Sequence, residues 1–228
     1  MSAPYINFHT HHIPDFSVET DYFDTHISIV NLDYSDVINP NIPNTYYSIG
    51  IHPWSTVCAT DAPNCFDEVI EEIRKKLPMK SILCVGESGF DALRGANSDI
   101  QRKLFLSQIR LSEKMHKPLI IHCVKMLSET LELYKSVHPT QPWIIHGYRN
   151  KAEQAKQLMQ HGIYLSFGTK FNEASMHEAW EANKMWLETD ASERTIEEVY
   201  QTASDCLQVP VETIKEKLYQ QFTQLIEQ

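Results

Sequence analysis

Two adjacent stretches decide the fold: Ile82-Leu83-Cys84-Val85-Gly86-Glu87, and Ser98-Asp99-Ile100-Gln101-Arg102-Lys103-Leu104-Phe105-Leu106-Ser107-Gln108-Ile109. The first is a short, nearly continuous apolar run, which is how a strand buried on both faces reads. The second places Ile100, Leu104 and Ile109 on one side of a helix, and Ser98 with Gln101 has the spacing of a capping box at its start. A doubly buried strand followed by an amphipathic helix is the repeating unit of a parallel α/β fold.

The same alternation extends in both directions. Strands are expected over Tyr5–His11, Ile27–Leu32, Tyr46–His52, Ile82–Glu87, Pro118–His122, Pro142–His146, Ile163–Phe167 and Trp186–Asp190. Between them, Phe66, Val69, Ile70, Ile73 and Leu77 keep helical spacing, and residues 151–160 run toward a glycine stop at Gly162. Pro210 is placed to open a last helix carrying Ile214, Leu218 and Leu225. Residues 12–26 and 33–45 contain Pro14, Pro40 and Pro43 and no helical period. The expected architecture is therefore a TIM-type (β/α)8 barrel, one domain over residues 1–228, with short or missing early crossover helices.

Composition narrows the function. The 228 residues carry a net charge of -10, and the first 73 contain eleven Asp or Glu and no Lys or Arg. That imbalance argues against a broad basic face coating nucleic acid, but not against an anionic substrate held by metal ions. No apolar run is long enough to cross a membrane, and residues 1–5 lack the basic and apolar regions of a secretory signal. Five cysteines with no Cys-x-x-Cys pair suit a reducing compartment, so a cytoplasmic location is expected, and the protein is taken as a monomer.

The chemistry lies at the expected strand ends. His9 and His11 are two residues apart on one strand, so both imidazoles face the same way and can reach one ion. Glu87, His122, His146 and Asp190 end four later strands, and a barrel gathers such ends at one mouth. Taken singly, each residue has an ordinary explanation as a packed histidine or a solvated acid. Their joint order, four histidines and two carboxylates, is a donor set for two divalent cations with one carboxylate bridging. Such a mixture suits Zn, Mn, Ni or Co, with Mg also compatible.

Several segments then resemble the TatD family of metal-dependent hydrolases: Asn7-Phe8-His9-Thr10-His11, Gly50-Ile51-His52-Pro53-Trp54, Gly86-Glu87-Ser88-Gly89-Phe90-Asp91, Ile120-Ile121-His122, His146-Gly147-Tyr148, Tyr164-Leu165-Ser166-Phe167-Gly168 and Leu187-Glu188-Thr189-Asp190. Gln101, Phe105 and Gln108 also match the family's helix after the glutamate strand. The resemblance implies a binuclear metal centre and hydrolysis of phosphodiester or related bonds, often by a deoxyribonuclease. By position it gives His9, His11 and Asp190 to one metal and His122 and His146 to the other, with Glu87 bridging or sitting between them. Asp190 and Glu87 are then the catalytic carboxylates, and His52 matches a position near substrate. Three features depart from the family. Asn7 stands where Asp is usual, residues 191–194 run straight toward a helix that Ser192 could cap, and the C-terminal Asn-x-x-Arg-Leu-Phe-type motif is not recognisable over residues 218–222.

The rim residues leave the substrate open. Arg94, Lys125, Arg149, Lys170 and Arg194 follow strand ends and could hold a phosphate or carboxylate, with Arg149 and Lys170 taken as substrate-binding. Trp54, Phe90, Tyr148 and Phe171 lie near the expected mouth and could stack a base. Cys84 and Cys123 have no neighbouring base and read as small buried hydrophobes. The leading expectation is a 3′-5′ deoxyribonuclease acting on single-stranded DNA or a small phosphoester. The alternatives are an amidohydrolase of small esters, lactones or amides using the same metals, and a metal-binding barrel without turnover.

Overall fold

The structure is a computed structural model, and it describes residues 2–14, 22–55 and 65–226. All eight expected strands form: β1 (Tyr5–Thr10), β2 (His26–Asp33), β3 (Thr45–Gly50), β4 (Ile82–Asp91), β5 (Leu119–Val124), β6 (Trp143–Ile145), β7 (Tyr164–Phe167) and β8 (Met185–Leu187). The helices are α1 (Tyr22–Thr25), α2 (Cys65–Lys76), α3 (Ser98–Met115), α4 (Leu127–Val137), α5 (Ala152–Gln160), α6 (Glu173–Glu181), α7 (Ile196–Leu207) and α8 (Val211–Ile226). The strands follow one another in sequence order in a single eight-stranded sheet, the order of the expected (β/α)8 class. Among the described residues α1 is a single turn and no helix joins β2 to β3, as the prolines of the second link foretold; residues 15–21 of the first link lie outside the described residues.

The residues group into two compact units, Met1–Val30 with Asn39–Tyr46 and His146–Gln228, and Asn31–Ile38 with Tyr47–Ile145. In the first, Phe8 stacks on Trp186 with ring centroids 4.2 Å apart, at the centre of a core that includes Ile6, Leu165, Phe167, Tyr200 and Phe222. The Tyr200 hydroxyl accepts from the Ile6 amide at 3.0 Å and donates to the Ile6 carbonyl at 3.2 Å. Complete burial pushes that phenol far up, so it stays protonated as the double hydrogen bond requires. β8 leads back to β1 through a parallel bridge between Thr10 and Asp190.

In the second unit, Phe105 of α3 packs between Phe90 and Trp143, its ring 5.2 and 5.4 Å from theirs. β4 is longer than the apolar run suggested, continuing past Glu87 to Asp91. Two glycines explain this. A side chain at Gly86 would come within 2.5 Å of the Ile120 carbonyl, and one at Gly89 within 2.1 Å of the His122 carbonyl. Both also have positive φ, 126° and 139°, which a side chain resists. β4 can therefore lie against β5 on either side of Glu87 only because these residues are glycine.

Two helix starts differ from expectation. Asn97, not Ser98, caps α3 by accepting from the Ile100 amide, and Gln101 turns inward instead. Thr195, not Ser192, caps α7, in a reciprocal capping box with Glu198. Ser192 accepts from the Arg194 amide within the preceding turn.

Candidate metal centre

His9 is fully buried at the end of β1, and Asp190 follows β8 on a left-handed backbone with φ of 55°. Such a conformation is strained for a residue with a side chain and persists only where its surroundings hold it. Here the Asp190 amide donates to the His9 carbonyl at 3.0 Å, and the His11 amide donates to the Asp190 carbonyl at 3.1 Å. A chain of side chains braces the same point. The Asn7 amide group donates to Thr189 Oγ1 at 2.9 Å, Thr189 donates to Thr10 Oγ1 at 3.0 Å, and Thr10 reaches the Asp190 carbonyl at 3.4 Å. Asn7 Oδ1 also accepts from the Thr189 amide at 3.0 Å, so both ends of its amide group are used. Asparagine fits where the resemblance led to aspartate, because a carboxylate cannot donate to Thr189.

So braced, Asp190 Oδ1 lies 3.5 Å from His11 Nε2 and 3.8 Å from His9 Nε2. These three residues offer ligand atoms within 4.8 Å of one another, the spread of donors around one cation. His146, just beyond β6, sets its ring 4.3 Å from that of His9. Its Nδ1 is 3.4 Å from Glu188 Oε1, which also accepts from the Gly147 amide at 2.7 Å. Glu188 is completely buried, and its Oε2 has no hydrogen-bond partner among the described residues.

The second cluster, in the other unit, contains Glu87, His122 and His52, again with ligand atoms within 4.8 Å of one another. Glu87 Oε1 lies 2.7 Å from His122 Nδ1 and 3.0 Å from His52 Nε2. On its far side His122 turns Nε2 to Asp91 Oδ2 at 3.0 Å, a contact that leaves Nδ1 as the coordinating nitrogen. Burial alone would raise the Asp91 carboxyl, but hydrogen bonds from Trp54, His122 and the Leu93 amide bring it below the ordinary carboxylate range. Gln108 fixes the His52 turn by accepting from the Ile51 amide at 2.8 Å and donating to its carbonyl at 3.1 Å. Imidazole and carboxylate donors such as His9, His11 and Asp190 in one cluster and Glu87 and His122 in the other fit divalent cations.

His52, which the resemblance places near substrate, sets its ring beside the Glu87 donors, but its Nδ1 accepts from the Trp54 amide at 3.0 Å, so Nε2 carries the proton and donates to Glu87. Arg149 and Lys170 are exposed after β6 and β7, their side chains in no hydrogen bond or ion pair among the described residues. Of the four aromatic residues expected near the mouth, Phe90 and Tyr148 are buried and Phe171 packs on Phe167, while Trp54 stays 44% exposed. Cys84 is completely buried, which pushes its thiol up to about 12, and Cys123 meets Thr130 Oγ1 at 3.3 Å. Sequence reasoning missed Asp91 and Glu188 as partners of histidines. The signal for Glu188 was present, because it stands two residues before Asp190, as His9 does before His11.

A Bacillus subtilis relative described as an uncharacterized metal-dependent hydrolase is 29% identical over 125 residues, 54% of this chain and 47% of its own length. The Schizosaccharomyces pombe protein named deoxyribonuclease Tat-D is 24% identical over 157 residues, 63% of this chain and 50% of its own. The chain spans about half the length of the curated relatives it matches. The crystal structure of a TatD family hydrolase from Entamoeba histolytica superimposes with a TM-score of 0.78, covering 99% of this chain and 98% of that one at 15% identity, which shows the shared fold. No helix among the described residues is long and apolar enough to cross a membrane. With the family model described as TatD related DNase matching residues 31–227, the chain belongs to the TatD family.

Proposed function

We propose that the protein is a binuclear-metal hydrolase of phosphodiester bonds that shortens single-stranded DNA from its 3′ end in the cytoplasm. The observation that carries this reading is the gathering of ligand atoms at strand ends, the buried His9 with His11 and Asp190 in one cluster and the buried Glu87 and His122 in the other. In this reading His9, His11 and Asp190 hold one ion. Glu87 and His122 would serve the second, with His146 and a bridging Glu87 as the resemblance assigns them, while His52 would donate to Glu87 beside it. Bound divalent cations supply Lewis acidity toward a phosphoryl oxygen and make water a nucleophile at neutral pH. Asp190, partly exposed beside His11, accepts the proton of the attacking water and later passes it to the leaving oxygen. Asp91 and Glu188 keep His122 and His146 in their coordinating orientations, while Arg149 and Lys170 draw in the substrate's charge.

The printed name of the S. pombe relative and the family's description support a nucleic-acid substrate. One observation favours a second reading, a small-molecule amidohydrolase: α7 is capped at Thr195, only five residues after Asp190, leaving little chain for a substrate-binding loop. Incubation of metal-replete protein with 3′-labelled single-stranded DNA separates the two. Stepwise shortening that disappears in Asp190→Asn is expected. Intact DNA with turnover of small esters, lactones or amides would replace the nuclease reading with the second.

A further inference from the structure

Beside the Glu87 cluster stands an arrangement that its ligands do not need. Trp54 is exposed, yet it is held rigidly. Its indole Nε1 donates to Asp91 Oδ2 at 2.6 Å, its backbone amide donates to His52 Nδ1 at 3.0 Å, and its ring meets the His52 ring edge-on at 4.7 Å. Over this indole lies Arg94, with its guanidinium carbon 4.8 Å from the ring centroid. The guanidinium makes no hydrogen bond or ion pair among the described residues. An exposed arginine is ordinarily solvated and free to sweep. Here the loop beneath it is built to place it.

Three residues fix that loop. Asp91 Oδ1 accepts from the amides of Leu93 at 2.7 Å and Arg94 at 3.2 Å, winding the chain back as β4 ends. Gln101 of α3 donates to the carbonyls of Arg94 at 3.1 Å and Ala96 at 2.8 Å. Gly95 presses against the turn that carries Trp54. It has φ of 89°, and a side chain there would come within 2.0 Å of the Pro53 carbonyl and 3.0 Å of the Trp54 Cα. One carboxylate, Asp91, therefore orients His122, Trp54 and the Arg94 loop together, and the guanidinium sits a single indole away from His52.

We propose that Arg94, held over Trp54, is the residue that recognises an anionic oxygen of the substrate beside the Glu87 cluster, and so selects phosphate-bearing over neutral substrates. A guanidinium offers a planar fork of donors that pairs bidentately with phosphate or carboxylate. Stacking on an indole orients that fork and lowers the ordering cost of using it without consuming its N–H groups. The inference rests on the metal-hydrolase reading for its place in catalysis, but the anion site can be measured apart from it.

The experiment follows tryptophan fluorescence during titration with inorganic phosphate, thymidine 5′-monophosphate and acetate, on protein whose metal content is measured in the same samples. Wild type is expected to give a saturable change with phosphate and the nucleotide that Trp54→Phe abolishes. Arg94→Gln should weaken binding about tenfold or more, as expected for loss of a charge-assisted bidentate pair. Lys103→Gln, which removes the cation lying 5.4 Å over Phe66 in the same unit, should bind as wild type does. A stronger response to the nucleotide than to phosphate would assign the partner to a base-bearing phosphate; saturation by acetate alone would make it a carboxylate. In turnover, Arg94→Gln should raise KM for bis(p-nitrophenyl) phosphate at unchanged kcat and leave p-nitrophenyl acetate unaffected. Wild-type anion affinity in Arg94→Gln would overturn the proposal. Metal-free wild type that still binds phosphate through Arg94 would count against the hydrolase reading alone.

Discussion

Replacing Thr189 with valine tests whether the bracing of Asp190 is energetic as well as geometric. Thr189 is 5% exposed, and its hydroxyl joins Asn7 to Thr10. Valine has nearly the same shape, so the change removes the hydroxyl and opens no cavity. The Asn7 amide then keeps a buried donor with nowhere to go, at a cost of about 1–3 kcal/mol, and one further hydrogen bond worth about 1 kcal/mol is lost. Thr10 Oγ1 still accepts from the His12 amide at 3.2 Å and adds little. A total of about 2–4 kcal/mol should lower Tm by roughly 5–15 °C in a chain of this size. Because Thr10 also reaches the Asp190 carbonyl, metal affinity at the His9, His11 and Asp190 cluster should fall with it. Calorimetry and chelator competition on Thr189→Val measure both. A Tm within about 2 °C of wild type together with unchanged metal affinity would refute the bracing argument.

Three further outcomes follow from the same structure. Asp190→Asn should retain the fold by circular dichroism and lose about 10²- to 10⁴-fold in turnover, the range for removing a general base; near-normal rates would take Asp190 out of the chemistry. Gly89→Ala should cost more than about 4 kcal/mol, because the added carbon would meet the His122 carbonyl on a backbone already at positive φ, and wild-type urea resistance would contradict this. Glu113 carries a pH dependence. Burial would raise its carboxyl, but hydrogen bonds from Thr140 and from the Gln141 and Thr140 amides lower it further than burial raises it. With the folded value depressed, its contribution is complete above the ordinary value of 4.5 and fades as pH falls through the lower folded value. Glu113→Gln should therefore be less stable than wild type in urea at neutral pH, with the gap closing in strong acid. A gap that widened in acid would show the opposite linkage.

The strand pattern was legible because parallel strands buried on both faces leave short apolar runs that few other structures produce, and all eight appeared. Strand ends were less so. β4 was expected to stop at Glu87, since Gly86, Ser88 and Gly89 interrupt its apolar run; the strand continues because β5 leaves those glycines no room for side chains. Caps shifted from Ser98 to Asn97 and from Ser192 to Thr195 for a related reason. Neighbouring polar residues are chemically equivalent candidates, and backbone geometry alone chooses between them. At the candidate site, donors could be named from residue type and order, whereas their partners could not. Asp91 serves Trp54, His122 and two loop amides at once, and nothing in its sequence neighbourhood shows that His122, 31 positions away, will face it. His52 is the clearest instance: a Gly-x-His-Pro turn reveals a fixed histidine, but only the fold brings it to 3.0 Å from Glu87.

These donors are expected to hold metal. The most direct test is elemental analysis of wild type and Glu87→Gln, each purified without chelator and then equilibrated with zinc or manganese. About two ions per chain are expected in wild type, with a lower content in Glu87→Gln as the bridge is lost. A wild-type protein that retains no ion under these conditions, or a Glu87→Gln variant with full metal content, would contradict the account.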